Sequence, residues 1–233
     1  MLYSIDKDGF EIIPNVFKCK EIAAIRKAIV SLKGKEGTQK KKKELYGLRN
    51  LLQLCPFISE LAISDNLTSI VKNILGPSAF PVRALFFDKT AEANWKVPWH
   101  QDLTITVSTK ADLPGFGPWS IKNGIIHVQP PTKILENMLS IRIHLDDCDE
   151  TNGALKVIRG SHTYGKLAAL NISSWKQKGS IVTCVIPCGG LLIMRPLLLH
   201  SSSPAQKPKH RRVVHIEYAS NDVPGNLKWN EKN

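Results

Sequence analysis

The pattern of apolar and polar positions changes character about a third of the way along the chain. Between Lys20 and Leu32, the residues Ile22, Ile25, Ile29 and Leu32 recur at three- and four-residue steps, which predicts an amphipathic helix. A second helical stretch is expected from about Leu45 to Leu54. A third falls between Phe57 and Leu75 in two pieces. It carries Leu67, Ile70, Val71 and Ile74 on one face, Asp65 or Asn66 as caps, and Gly76-Pro77 as its stop. After Phe80 the pattern becomes short apolar or alternating runs punctuated by Gly and Pro, at 79–87, 103–108, 124–129, 138–146, 154–160, 180–187, 189–196 and 212–220. Many short strands without helix-length spacers predict an antiparallel sandwich or barrel rather than a parallel α/β sheet. The stretch 110–131 is long, rich in Gly and Pro, and contains Trp119, so it reads as a lid loop. With no internal repeat and no linker, the expectation is a mainly β protein forming a single domain over 1–233. Residues 1–79 form a mostly helical flank packed on a double-stranded β-helix (jelly-roll, cupin-like) core at 80–220.

Composition narrows the class. With 42% hydrophobic and 22% charged residues among 233, the chain is neither disordered nor collagen-like, and no run approaches the length of a membrane span. Asp6, Asp8 and Glu11 stand where an export signal would be basic and then apolar. The five cysteines are an odd number, so free thiols and a cytoplasmic location are expected. Lys and Arg number 32 against 20 Asp and Glu, a formal charge of +12 that suggests an anionic partner. The densest basic runs are Lys40 to Lys43, read as a solvated loop or helix start, and Lys207 to Arg212. An acidic patch collects Asp146, Asp147, Asp149 and Glu150. No aromatic residues interleave the basic runs as they would in a single-strand binding groove.

The candidate chemistry lies in the strand-rich part, where all seven histidines occur. His100 and Asp102 sit two apart at the mouth of a strand, where period-two geometry sends both side chains to one face. An imidazole beside a carboxylate makes two-thirds of a facial triad for Fe(II). A third ligand must come from a distant strand, and His200 is well placed at the polar end of an apolar run. Arg211 opens the next strand and can grip a carboxylate bidentately, and Ser202 can add a hydroxyl donor. His162 reads as a turn residue. Cys184 and Cys188 have no partner pair at zinc-site spacing and read as buried thiols.

These residues resemble the phytanoyl-CoA dioxygenase family of Fe(II)/2-oxoglutarate-dependent oxygenases, whose signature is H-x-D, then H-x-S about a hundred residues on, then Arg eleven residues after that His. His100, Asp102, His200, Ser202 and Arg211 meet it, and similarity extends to 8–17, 86–90, 94–102 and 152–162. The resemblance implies the jelly-roll fold, Fe(II) held by His100, Asp102 and His200, and 2-oxoglutarate bound by Arg211 with Ser202. It further implies hydroxylation of a small organic or carrier-linked substrate with release of succinate and carbon dioxide, and stimulation by ascorbate. An intact Asp102 favours hydroxylation over halogenation, because related halogenases carry a small residue there. Family spacing chooses Arg211 over Arg212. Arg142, which shares a strand face with His144, falls where the family lines the 2-oxoglutarate pocket, often with an aromatic residue. Lys89 and Arg83 are candidates to touch the cosubstrate, and Trp119, His127 and Gln129 to face substrate. The partners implied are dioxygen and a small molecule, acidic or phosphorylated, rather than nucleic acid or a membrane. The alternative is a non-catalytic basic module, binding nucleic acid, on an oxygenase scaffold.

Overall fold

A computed structural model describes residues 4–32, 38–41 and 44–232 of the chain. One helical turn, α1 (Ile5–Asp8), leads into β1 (Phe10–Ile13). The expected apolar stripe then forms α2 (Cys19–Val30), burying Ile22, Ile25 and Ile29. The stretch expected as a helix over 45–54 divides instead into β3 (Glu44–Leu48), paired with β2 (Thr38–Lys41), and a short α3 (Leu51–Leu54). Two causes are visible. Gly47 and Leu48 are captured by a neighbouring strand, and Asn50 takes a left-handed backbone (φ 56°) that no helix can pass through. Of the lysine run, Lys40 and Lys41 belong to β2, not to a loop or helix start, while Lys42 and Lys43 lie outside the described residues. The third helical stretch is in two pieces, α4 (Pro56–Ala62) and α5 (Asp65–Leu75). Ser64 occupies the cap position, one residue before the expected caps, and Gly76 ends the helix.

Eleven further strands and two helices follow: β4 (Phe80–Lys89), β5 (Val97–His100), β6 (Ile105–Val107), β7 (Trp119–Lys122), β8 (Ile125–Val128), α6 (Thr132–Glu136), β9 (Met138–His144), β10 (Leu155–Ile158), α7 (Ala169–Lys178), β11 (Ile181–Thr183), β12 (Leu191–Met194), β13 (His200–Ser202) and β14 (Arg211–Ala219). The expected lid loop thus contains a β-hairpin, β7 with β8, and β8 pairs on its other side with β6 in a three-stranded sheet. α7 buries no residue, which explains why it left no periodic apolar trace in the sequence.

Antiparallel strands in the order β1-β12-β9-β14-β4-β3-β2 make a seven-stranded sheet, and β11-β10-β13-β5 make a four-stranded one. The central strands of the larger sheet are buried on both faces, and their alternation assigns each face a different task. Leu139, Ile141, Ile143, Val214, Ile216, Tyr218, Ala84 and Phe86 point outward into one cluster with Ile22, Ile25, Ile29, Ile58 and Leu67 of the helices. The positions between them, including Arg142, His144, Arg211, His215, Glu217, Arg83 and Lys89, point toward the smaller sheet. This is the double-stranded β-helix architecture with helices packed on one side. A second apolar cluster, with Phe10, Leu155, Val157, Leu192 and Met194, joins the two sheets at one end. A third, around Val82, Val107, Val128 and Trp229, seats the hairpin at the other.

The helical layer is tied to the sheet at Gly189 (φ 84°), whose N–H donates to His144 O (2.8 Å) and whose carbonyl accepts from Val16 N (3.0 Å) and Phe17 N (2.9 Å). A Cβ there would lie 2.2 Å from Phe17 O, in a backbone conformation that already disfavours side chains. Gly189→Ala is therefore expected to lower the unfolding free energy by about 2–4 kcal/mol. Urea denaturation measures it, and a loss below about 0.5 kcal/mol, the size of an ordinary surface substitution, would contradict the packing described.

Candidate metal centre

The ladder between β5 and β13 sets His100 directly opposite His200, with ring centroids 4.2 Å apart. Asp102 does not share a strand with His100, as period-two reasoning supposed. β5 ends at His100, and Asp102 lies in the link to β6, where its N–H donates to Pro196 O (2.9 Å). That anchor brings its carboxylate under both rings, 3.7 Å from Nε2 of His100 and 3.7 Å from Nε2 of His200. His200 likewise belongs to no continuation of the preceding apolar run: β12 stops at Met194, a turn intervenes, and His200 opens β13. Gln101, between the two ligand candidates, faces the other way. It is buried, donating to Gly165 O (2.8 Å) and Leu197 O (2.6 Å) and accepting from Leu167 N (2.8 Å), which pins the segment carrying its neighbours.

Each imidazole presents a bare lone pair to this centre. Nδ1 of His100 donates to Pro98 O (2.8 Å) and Nδ1 of His200 to Leu198 O (2.9 Å). A carbonyl only accepts, so each Nδ1 carries the proton and each Nε2 is free as a ligand. Burial pushes His200 down to about 4, keeping it neutral at neutral pH. Burial works to raise Asp102, and the positive charge of Arg142 beside it helps to hold its carboxyl below the usual range. Three electron-pair donors within 4.8 Å of one another, with no hydrogen among them, repel unless a cation is shared. The residues present therefore fit a metal ion, and their type, two imidazoles and a carboxylate, fits Fe(II). Among the described residues no other group of His, Cys, Asp and Glu converges in this way.

The triad faces a cavity of about 300 Å³ between the two sheets, at the lower end of the range for ligand sites. Arg211 lines it and is buried, its Nε without a hydrogen-bond partner, and its guanidinium touches Cys148, whose thiol burial pushes up. Arg212 turns away onto Asp146, through Nε (2.8 Å) and Nη2 (2.6 Å), so only the first arginine of the pair enters the cavity. Arg142 also lines it, donating through Nη1 to Nδ1 of His215 (3.2 Å), whereas His144 is buried beneath with both ring nitrogens unpartnered. His215 in turn reaches Glu217 Oε1 (3.4 Å), which also receives Arg83 Nη1 (3.0 Å).

Several candidates occupy places other than those the sequence suggested. Ser202 lines the cavity, but its hydroxyl donates to Gly153 O (2.8 Å) and accepts from Lys89 Nζ (2.6 Å), so it supplies no free proton in this arrangement. Lys89 is fully buried behind it, bonded also to Ser203 O (2.6 Å) and lying over the Trp95 ring; burial, then Arg211, bring it down to about 7. Arg83 stands away from Arg211, in its pair with Glu217. Of the three substrate candidates only His127 lines the cavity. Trp119 packs into the cluster that seats the hairpin, and Gln129 is held by Lys166. His215, Glu217, Arg49 and Lys122 line the cavity and went unnoticed in the sequence. The signal for His215 and Glu217 was present: they keep the same period-two register as Arg211.

The residues 5–213 match the model of the phytanoyl-CoA dioxygenase (PhyH) family. Ectoine dioxygenase from Bordetella bronchiseptica is 20% identical over 247 residues, spanning 93% of this chain and 73% of its own. EctD from S. alaskensis, solved with bound Fe, superposes with a TM-score of 0.74 at 18% identity, covering 95% of this chain and 76% of that one. The carbocyclase SnoK from nogalamycin biosynthesis, described as non-heme and alpha-ketoglutarate dependent, gives 0.71 at 15% identity over 97% and 84%. With a family match over most of its length, the His-Asp-His cluster and the jelly-roll core, the chain belongs to the phytanoyl-CoA dioxygenase family.

Proposed function

We propose that the protein is an Fe(II)- and 2-oxoglutarate-dependent dioxygenase that hydroxylates a small organic or carrier-linked substrate and releases succinate and carbon dioxide. One observation carries this reading: three proton-free ligand atoms converge in a cavity that also holds the guanidinium of Arg211, which has no carboxylate partner among the described residues and whose Nε is unpartnered. Iron bound by His100, Asp102 and His200 supplies dioxygen activation coupled to the oxidation of 2-oxoglutarate.

The chain's residues do the rest. Asp102 contributes one negative charge and the imidazoles none, so the centre keeps a net positive charge that attracts a dianionic cosubstrate. Arg211 grips the distal carboxylate, and Lys89 adds positive charge from behind Ser202 while orienting that side chain. Arg142 and His215 form the wall beside the triad, locked in register by their mutual bond and by Glu217. His127, from the β7–β8 hairpin, faces the substrate, and the hairpin supplies part of the cavity wall through His127 and Lys122. The free cysteines suit a reducing, cytoplasmic setting, in which ascorbate would keep iron reduced. No helix among the described residues is long and apolar enough to cross a membrane.

The basic-module alternative draws no support from the basic run at 207–212. Of the run ending at Arg212, Arg211 is internal, Arg212 binds Asp146, and His210 binds Asp88 (2.7 Å).

Purified protein given Fe(II), ascorbate and 2-oxoglutarate is expected to form succinate slowly without added substrate. No succinate, together with no calorimetric binding of 2-oxoglutarate to the metal-loaded protein, would defeat the proposal. His200→Ala and Asp102→Ala are each expected to weaken Fe(II) binding at least about 100-fold with the circular dichroism spectrum unchanged, and retained turnover in both would overturn the ligand assignment. Arg211→Ala should raise the Kd for 2-oxoglutarate at least about tenfold, the loss of a charge-assisted pair, and an unchanged Kd would remove Arg211 from the site. Because Lys89 is cationic only below about 7, affinity for the dianion should decline as pH rises through that value in the wild type and not in Lys89→Met. Identical pH profiles would discount Lys89.

A further inference from the structure

Beyond the triad the cavity carries a second polar cluster that 2-oxoglutarate chemistry leaves unused. Arg211 and Glu217 both line the cavity from β14 and stand six residues apart, about 20 Å at the ~3.3 Å rise of a strand. Around the Glu217 end gather Arg83 of β4, Lys122 of β7, His127 of β8, and Arg49 from the link between β3 and α3. Glu217, the carboxylate that lines the cavity there, is already engaged, by Arg83 at 3.0 Å and His215 at 3.4 Å, and the nearby buried Glu231 accepts from Leu52 N and Ala84 N. Among the described residues no acid pairs with Arg49 or Lys122, and the buried Nε of Arg49 has no hydrogen-bond partner.

His127 makes this cluster more than a patch of charge. It is 2% exposed, faces the cavity, and neither ring nitrogen has a partner. Burial first, then Arg83, Lys122 and Arg49, bring it down to about 4 against a small opposing effect of Glu217, so at neutral pH it is neutral within a positive field. An unpartnered buried polar group is destabilising, and a ligand that completes its hydrogen bonds relieves that cost. A cation without a counter-ion beside it favours the same class of ligand.

We infer that this end of the cavity is the substrate's anchoring subsite and takes an oxyanion, a carboxylate or phosphate group, gripped by Arg49 and Lys122 with His127 as hydrogen-bond donor. The word substrate rests on the oxygenase reading; the oxyanion site itself does not. Binding an anion here leaves Arg211 free for the cosubstrate and places the carbon skeleton between, beside the triad. A cavity of about 300 Å³ admits only a short skeleton or the end of a longer one.

The test is calorimetry on the full chain, loaded with Fe(II) and saturating 2-oxoglutarate without oxygen, titrated separately with phenyl phosphate and with benzoate. One probe should bind saturably with a Kd of about 1 mM or tighter, and its identity distinguishes phosphate from carboxylate substrates. Arg49→Gln/Lys122→Gln, checked for an unaltered melting temperature, should weaken that probe at least tenfold. In metal-free protein, histidine NMR should show the probe raising the pKa of His127. The inference is overturned if neither probe binds, if the double variant binds as tightly as the wild type, or if 2-oxoglutarate displaces the probe. Should the probe bind in an Arg49-dependent way while 2-oxoglutarate binds nowhere, the subsite stands and the oxygenase reading falls. The reverse pattern removes the subsite alone.

Discussion

The centre depends on a shortage of protons. The β5–β13 ladder holds two imidazoles side by side, backbone carbonyls two residues back take both Nδ1 protons, and an anchored carboxylate completes the cluster. Nothing inside the cluster donates, so its lone pairs are preorganised for a cation, and the cost of crowding them is met by the surrounding fold. Gln101 and the Pro196 carbonyl matter for this reason: they fix the backbone that would otherwise let Asp102 swing away.

The large sheet makes such a centre affordable by dividing its labour between faces. Outward positions bury Ile, Leu, Val and Phe under the helices, and that apolar layer carries stability. Inward positions can then hold arginines, histidines and a glutamate that would be ruinous in an undivided core. Their charges are arranged in series, from Arg142 through His215 and Glu217 to Arg83, so that each side chain of the series finds a partner. Nε of Arg211, Nε of Arg49 and the ring of His127 are left unpartnered on residues that line the cavity, and the ring of His144 is left unpartnered beneath it.

What the sequence made legible follows the same division. The strands with continuous apolar runs were readable, as were α2 and α5, because their stripes are buried. α7 packs nothing and so was invisible, and 45–54 was drawn into the sheet by an edge that a local reading cannot see. His100, Asp102, His200 and Arg211 stood out because together they meet a family signature, which the H-x-D pair alone would not have established. A link, rather than a single strand's alternation, brings Asp102 into place, and a turn after β12 precedes His200 at the start of β13. Arg49, Lys122, His215 and Glu217 gather from separate strands and a link, so only the three-dimensional register assembles them. The +12 charge also changed meaning. Much of the basic run at 207–212 is internal or paired, and the uncompensated positive charge on the cavity wall lies at residues no charge cluster in the sequence marked.

The central claim is that the triad and Arg211 form one site for iron and a chelating 2-oxo acid. Anaerobic titration of the Fe(II)-loaded protein with 2-oxoglutarate, followed by visible absorption, tests it most directly. The account predicts a saturable charge-transfer band at one equivalent, weakened in Arg211→Ala and missing when succinate replaces 2-oxoglutarate. Iron and 2-oxoglutarate both bound without such a band would mean that they occupy separate sites, and would contradict the account.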